Sequence, residues 1–306
     1  MPSLRQLEYL LALAETGNFR RAAERANTTQ PTLSEQLKAL ETRLGAQLVE
    51  RSRSRVLVTP LGDQVVQIAR RMLADADEIR TLTASGGKEL AGVMRLGLPA
   101  TIGPYLLPHV VPELHRRYPK LRLYVREELP GALPDLLAVG QHDVILSLLP
   151  IDNSALVVQP LFREPLNLVV AADHPLAKKK TVSKADLKSQ DVLTLAEGHQ
   201  LHEVVVGLCR EYGARLRFDY EGTSLDMLHE MVAIGLGISF LPGLYTRAVT
   251  TSDESIKVVR LENRTIYRSV CLAWRKTSLR GDSYMALAGL IREKILGKFA
   301  DFTAIT

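Results

Sequence analysis

The stretch FRRAAERANTTQPTLSEQLKALETRL, residues 19–44, has the spacing of a helix-turn-helix. Phe19 and the small residues Ala22, Ala23 and Ala26 recur at helical intervals, which predicts a first helix that packs closely on a partner. The polar residues 27–29 favour a turn, and Pro31 suits the first turn of a second helix. We therefore predict a recognition helix that starts at Pro31.

The predicted second helix has an apolar stripe of leucines and a polar face. A glutamine can pair with an adenine edge, a threonine can contact a thymine methyl, and Ser, Thr and Lys can bind phosphates. A solvated face of an ordinary helical hairpin is the alternative. The candidate DNA-contacting residues here are Thr29, Gln30, Pro31, Thr32, Ser34, Gln36 and Lys38.

A basic hairpin is predicted directly after this helix. Gly45 ends the helix, and residues 47–59 read as two short extended pieces. Arg51, Arg53 and Arg55 alternate, so they project to one side of an extended strand, a geometry suited to phosphate contacts. We interpret this segment as a DNA-binding wing, with a solvated hairpin tip as the alternative.

Residues 4–51, LRQLEYLLALAETGNFRRAAERANTTQPTLSEQLKALETRLGAQLVER, continue to VTPLG at 58–62 and resemble the DNA-binding domain of LysR-type transcriptional regulators. The chain length and the later segments resemble the same family. The resemblance implies binding to double-stranded promoter DNA as a homodimer or homotetramer. Two recognition helices per dimer imply roughly palindromic half-sites about one helical turn apart. RNA polymerase is a further candidate partner.

The composition fits a soluble protein of two or three compact units. The chain has 306 residues, of which 46% are hydrophobic, and no apolar run approaches the roughly 18 residues that a membrane helix needs. The sequence shows no leader peptide, and two cysteines supply no disulfide framework. We therefore expect a cytoplasmic protein with no membrane partner. The net charge of +5 fits nucleic-acid binding and many enzymes alike.

A long amphipathic helix is predicted from Thr59 or Pro60 to about Glu89, because apolar residues recur there at spacings of three and four. The corresponding helix of LysR-type regulators mediates dimerisation, whereas docking on its own chain is the alternative. The predicted domains are a winged helix-turn-helix at 1–60, this linker at 61–90 and an effector-binding domain at 91–306.

From Gly92 onward, short apolar strands alternate with helices, the pattern of an α/β domain. RFDY, residues 217–220, is one predicted strand. The family resemblance implies a two-lobed effector domain similar to periplasmic binding proteins, with crossing strands near 163–166 and 266–269. Lobe I would comprise about 91–163 and 268–306, and lobe II about 164–267. The predicted fold is α/β with an N-terminal all-α winged helix-turn-helix and a long linker helix.

Loops at the strand ends supply candidate contacts for a small-molecule effector of unknown identity, with no other cofactor and no metal. Ligands of such folds bind in the cleft at strand ends and helix N-termini. Helix capping is the commoner role of a Ser or Thr there, and His199 also fits an ordinary hydrogen-bonded side chain. The candidates are Ala100, Thr101, Ser147, His199, Gln200, Thr223 and Ser224.

The regulatory half resembles the peroxide-sensing OxyR branch of the family. The resemblance lies in GPYLLPHVVPELHRRYPKLRLYVRE, LFREPLNLVVAADHPLA, EGHQLHEVVVGLC, TSLDMLHEMVAIGLGISFLP and LAWR. It adds two effector-site candidates. Arg268 matches a basic position of that branch, and Pro130 stands where a peroxide-contacting threonine is expected.

One residue departs from that branch. Its sensors have a peroxide-reactive cysteine directly after a Gly-His pair, where this chain has Gln200, and Cys209 matches their second cysteine. Glutamine is neither nucleophilic nor redox-active, so the usual disulfide switch cannot form. Cys209 lies in the apolar run VVVGLC and Cys271 in a strand of the opposite lobe, so we expect inert thiols that do not bridge.

The leading hypothesis is a LysR-type regulator controlled by a polar or anionic metabolite in the interlobe cleft. The alternative is a peroxide-responsive regulator that uses Cys209 in a non-standard way. We expect no enzymatic activity, because the sequence has no metal-ligand spacing among its seven histidines, no phosphate-binding loop and no nucleophile elbow. A periplasmic solute-binding protein should lack the helix-turn-helix, and a DNA-architectural protein would not need the α/β half.

Overall fold

The computed structural model of the chain describes residues 1–51, 56–85, 90–249 and 253–305. They form two compact units. The first contains the residues up to 85 together with Leu136–Asp143, and the second contains the remainder. None of the described helices is both long enough and apolar enough to cross a membrane.

The first unit combines a helix-turn-helix with a short hairpin and a long helix. Side-chain oxygens of Ser3, Asn18 and Thr29 accept backbone N–H groups and fix the starts of the first three helices. Because Thr29 takes the capping position, the recognition helix begins at Gln30, one residue before the predicted start. The elements are α1 Leu4–Thr16, α2 Phe19–Arg25, α3 Gln30–Leu44, β1 Val49–Arg51, β2 Val56–Val58 and α4 Pro60–Ser85.

The leucine stripe of α3 forms the centre of this unit's core. Leu33, Leu37 and Leu40 are almost completely buried and belong to the same cluster as Leu10 and Leu13 of α1. The stripe therefore turns the opposite face of α3 outward, as the sequence pattern predicts.

Glu41, near the end of α3, holds the hairpin in place. Its carboxylate Oε1 accepts the backbone N–H groups of Leu48 and Val49 at 2.8 and 3.1 Å. Strands β1 and β2 then pair antiparallel, with Val49 opposite Val58 and Arg51 opposite Val56. The hairpin thus starts from a fixed point on the recognition helix.

The second unit is an α/β domain. Its strands are β3 Gly92–Leu98, β4 Leu121–Glu127, β5 Val144–Leu148, β6 Leu156–Ala171, β7 Thr181–Val182, β8 Asp191–Leu193, β9 Arg215–Leu216, β10 Ile238–Pro242, β11 Ile256–Leu261, β12 Ile266–Arg275 and β13 Thr303–Ala304. Its helices are α5 Gly103–Arg117, α6 Leu133–Ala138, α7 Lys184–Leu187, α8 Gln200–Tyr212, α9 Leu225–Ala233, α10 Gly243–Val249 and α11 Gly281–Lys298, with a 3-10 turn at Pro175–Lys178. Helix α6 spans the boundary between the two units.

The strand predicted at 217–220 is wrong in position, since β9 ends at Leu216. Arg217 and Asp219 instead form an ion pair two residues apart, across a bend.

The sheet follows the order β4-β3-β5-β12-β6-β10-β8-β9, and β6 also pairs with β11 and β13. Two separate hydrophobic clusters pack on it. We call the parts around them lobe I, which contains α5 and α11, and lobe II, which contains α8 and α9. The division falls between Phe162 and Leu166 in β6 and between Ile266 and Val270 in β12. We call β6 and β12 the crossing strands, since each contributes to both clusters.

Candidate functional site

The outward face of α3 presents most of the predicted DNA contacts. Thr29, Gln30, Pro31, Thr32 and Lys38 are exposed, while Ser34 and Gln36 are half-buried. The helix is anchored by its leucines, so its first turn and polar side chains are available to a major groove.

Three predicted contacts are also hydrogen-bonded within the unit. The Gln36 side-chain oxygen accepts the amide N–H of Gln6 in α1 at 3.2 Å. The hydroxyls of Thr29 and Thr32 share a hydrogen bond of 2.8 Å. Gln36 therefore orients the recognition helix on α1, and Thr29 acts as its cap. Gln30 and Lys38 have no such tie among the bonds described for α3.

The predicted wing is described only in part. Arg51 ends β1, opposite Val56, whereas Arg53 and Arg55 lie outside the described residues. The phosphate-contacting role of these three arginines stays a prediction.

The candidate effector site lies where lobe I and lobe II face each other. The side-chain amide of Gln200, at the start of α8, donates to the carbonyl oxygen of Leu149 at 3.1 Å. Leu149 directly follows β5, the strand that contains Ser147. The loop before α8 is also close to lobe I, since a Cβ added to Gly198 would lie 3.9 Å from Leu129 Cδ1. Gln200, the end of the Ser147 strand and the loop containing Pro130 therefore come together.

A second hydrogen bond connects the lobes near Thr223 and Ser224. The hydroxyl of Tyr105, in the first turn of α5, donates to Asp226 Oδ2 at 3.4 Å. Burial, and then the Asp226 carboxylate, raise the pKa of Tyr105, so the hydroxyl keeps its proton. Ser224 caps α9 by accepting the N–H groups of Asp226 and Met227. Ser224 and Thr223 are both exposed residues.

Thr101 and Arg268, two predicted effector contacts, lie together, but their polar groups bond mainly to each other and to Glu164. The Arg268 guanidinium donates to the hydroxyl and carbonyl oxygens of Thr101 at 3.2 and 2.9 Å, and to Glu164 Oε1 at 2.7 Å. The other Glu164 oxygen accepts the N–H of Leu244 at 2.8 Å. Arg268 and Glu164 face each other in the β12–β6 ladder and are 6% and 0% exposed. This cluster fixes the turn before α5, which contains Ala100, to the crossing strands.

His199 is the most unusual polar residue at this site. Its side chain is 6% exposed, and neither ring nitrogen has a hydrogen-bond partner in the part of the chain that is described. Burial, and secondarily His202, lower the pKa of His199, so the ring is neutral at pH 7. A neutral imidazole has one donor and one acceptor to offer, and buried groups of this kind almost always have partners.

The two cysteines are poorly suited to thiol redox chemistry. Both are free and buried. Burial raises the pKa of Cys209 in α8 to about 11 and that of Cys271 in β12 to about 12. At pH 7 only about one Cys209 thiol in 10,000 is therefore a thiolate, the reactive form. Cys271 pairs with Ser147 across the sheet, which leaves Ser147 buried in the core of lobe I.

Sequence reasoning missed Glu164, Tyr105, Asp226 and the Leu149 carbonyl as parts of this site. Glu164 carried a usable signal, because an acidic residue within the apolar strand LFREPLNLVV needs a buried cation. The Leu149 carbonyl carried none, since any backbone oxygen has the same chemistry.

Comparison with known proteins matches both units. The helix-turn-helix family described as "Bacterial regulatory helix-turn-helix protein, lysR family" matches residues 4–63, and "LysR substrate binding domain" matches residues 87–295. The DNA-binding transcriptional dual regulator OxyR of Escherichia coli K12 is 38% identical over 299 residues, 97% of each chain. The HTH-type transcriptional regulator EstR of Acinetobacter baylyi is 36% identical and covers 91% of this chain and 92% of its own.

A solved structure supports the same assignment. A cysteine-to-aspartate variant of full-length OxyR from Pseudomonas aeruginosa superposes with a TM-score of 0.80 at 36% identity, covering 96% of both chains. The fold is thus an N-terminal helix-turn-helix followed by an OxyR-like α/β regulatory domain. The chain belongs to the LysR family of transcriptional regulators.

Proposed function

We propose that a small polar or anionic molecule, bound between lobe I and lobe II, controls DNA binding by this LysR-family regulator. Gln200 and Tyr105 each make a hydrogen bond between the lobes, so a ligand inserted beside them would change the relative free energies of the lobe arrangements. A shift in that equilibrium would be transmitted as a change in DNA-bound geometry.

One observation carries the proposal: His199 is buried with two unpartnered ring nitrogens beside the start of α8. A polar ligand that accepts one hydrogen bond and donates another would satisfy the neutral ring. The N-terminus of the 13-residue helix α8 favours a ligand that also carries negative charge.

A thermal-shift and calorimetric screen of polar and anionic metabolites tests this proposal. We expect at least one metabolite to bind saturably and to alter the affinity for promoter DNA, and His199→Phe to weaken that binding. The proposal fails if no metabolite binds while peroxide alters DNA contacts in a Cys209-dependent way.

Peroxide sensing is the second candidate, favoured by the names of several relatives. A Pectobacterium carotovorum protein 36% identical over 295 residues is called a hydrogen peroxide-inducible genes activator. Cys209 would have to act alone and from the core, since Gln200 holds the position of the peroxide-reactive cysteine. Its burial and raised pKa disfavour this mechanism.

We further propose that α4 pairs with its copy in a second subunit. Leu61, Ile68 and Met72 are each more than 40% exposed, so they form an apolar row left uncovered in one chain. A dimer would present two α3 helices to roughly palindromic half-sites. RNA polymerase is a further proposed partner at the promoter. Replacing Ile68 and Met72 with glutamate should shift the sedimenting species toward the monomer. An unchanged mass would contradict the pairing.

A further inference from the structure

A polar groove lies where β11 leaves the crossing strands. Val259 pairs with Leu168 of β6 and Ile266 pairs with Leu166, so only Asn167 separates the two partners. Arg260 and Leu261 pair with β7 instead, and the chain returns to the crossing strands through residues 262–265. This excursion opens a groove of about 660 Å³. The volume lies within the roughly 300–1,000 Å³ typical of small-molecule sites.

The groove is separate from the candidate effector site. Tyr267 lines the groove, whereas the next residue, Arg268, points to Thr101 and Glu164. Successive side chains of a strand project to opposite faces, so Tyr267 and Arg268 lie on opposite faces of β12. Ile266 and Leu166 also line the groove, and none of Arg268, Glu164 and Thr101 belongs to its lining. Pro165, which follows Glu164 in β6, lines the groove in the same way. A ligand here would contact the crossing strands without entering the cleft between the lobes.

The groove has an excess of positive charge. Three arginines, Arg247, Arg260 and Arg264, and one acidic residue, Asp301, line it. Arg247 is paired with Asp301 at 2.6 Å, and Arg264 is paired with Glu211, which is outside the lining. Among the described residues Arg260 has no ion-pair partner, and its side chain is exposed. Arg260 is therefore the arginine of this groove that can best pair with a bound anion, and it lies where β11 leaves β6.

The walls also offer an apolar surface. Tyr267 and Val258 are 41% and 42% exposed, large values for such side chains within strands. A flat ring can stack on a tyrosine face while its acidic group meets a guanidinium. Asn167 and Thr246, joined by a hydrogen bond of 2.8 Å, line the same groove.

We propose that this groove binds a small organic anion, a phosphate or carboxylate group on a flat body, with Arg260 as its principal cation. The anion would link β11 to the crossing strands, which gives the protein a second ligand site outside the cleft. Because the site shares no residue with the cleft, it stands or falls independently of the proposed effector.

Titration calorimetry on the full chain tests the proposal with AMP and with benzoate, at about 0.15 M ionic strength so that diffuse attraction is screened. Each probe has a flat aromatic ring and an acidic group, which is a phosphate in AMP and a carboxylate in benzoate. We expect saturable binding of at least one, and a loss of roughly tenfold or more in Arg260→Gln, since a charge-assisted hydrogen bond disappears. Thermal unfolding of the variant checks that it is folded.

Lys257→Gln is the matched control. It removes one positive charge from the same exposed strand, and Lys257 does not line the groove. We expect it to bind the probe like the unmodified protein. The proposal is overturned if neither probe binds saturably, or if Lys257→Gln weakens binding as much as Arg260→Gln.

Discussion

Gln200 donates its side-chain amide to the carbonyl oxygen of Leu149 at 3.1 Å and so joins the first turn of α8 in lobe II to the end of β5 in lobe I. Gln200, which by resemblance stands at the position of the peroxide-reactive cysteine, thus makes a hydrogen bond between the lobes. A thiol is only a weak hydrogen-bond donor, so cysteine could not make this contact equally well.

Gln200→Ala should loosen the contact between the lobes. Loss of a half-buried hydrogen bond to a backbone carbonyl costs about 0.5–1.5 kcal/mol, so the free energy of unfolding of the second unit should fall by that amount. Hydrogen exchange around Leu149 and α8 should accelerate. Arg210→Ala, on an exposed position of the same helix, serves as the control. Unchanged exchange at both ends of the bond would argue against an interlobe role.

Cys209 should be nearly inert in the folded protein. Burial raises its pKa to about 11, so its thiolate fraction and labelling rate should rise about tenfold per pH unit from pH 7 to 10. A Cys271→Ala variant leaves Cys209 as the only thiol, and labelling with a chromogenic disulfide measures the rate with and without urea. Rapid sulfenic acid formation by peroxide at pH 7 would instead favour the redox mechanism.

Glu164→Gln should be strongly destabilising, because it leaves the buried Arg268 cation without its carboxylate. The expected loss is about 3–5 kcal/mol in urea unfolding. Adding Arg268→Met should recover much of that loss, since no unpaired charge then remains. Glu262→Gln, at an exposed position, should have little effect. A Glu164→Gln variant as stable as this control would contradict a stabilising ion pair between Glu164 and Arg268.

Substitutions in the recognition helix and in the wing should have different effects on DNA affinity. Gln30→Ala should weaken the specific promoter site by about 1–3 kcal/mol and leave random DNA almost unaffected. Arg53→Ala should weaken both and reduce the slope of affinity against salt by about one. Fluorescence anisotropy at several salt concentrations separates the two effects. Equal losses on specific and random DNA for both variants would refute the division of roles.

Local patterns in the sequence predicted the local elements well. The spacing of Leu33, Leu37 and Leu40 predicted the buried stripe of α3. The predicted start at Pro31 was wrong by one residue, because Thr29 caps the helix and Gln30 is already helical. The RFDY strand failed because its two charged residues, Arg217 and Asp219, pair with each other across a bend. Composition alone does not distinguish that bend from a strand.

Contacts between distant residues were beyond such patterns. Arg268 was predicted as an effector contact, yet its partner Glu164 lies 104 positions away and becomes visible only when β6 and β12 pair. The Gln200 amide likewise reaches a backbone oxygen 51 positions earlier. Both interactions depend on the sheet topology, which decides which strand ends meet.

Footprinting of the promoter next to the gene, with and without fractionated metabolite pools, measures whether a metabolite controls DNA binding. We expect two protected half-sites about one helical turn apart, whose protection changes with a metabolite fraction and is unaffected by peroxide. A footprint that ignores every metabolite fraction but changes with peroxide, and loses that change in Cys209→Ala, would contradict metabolite control.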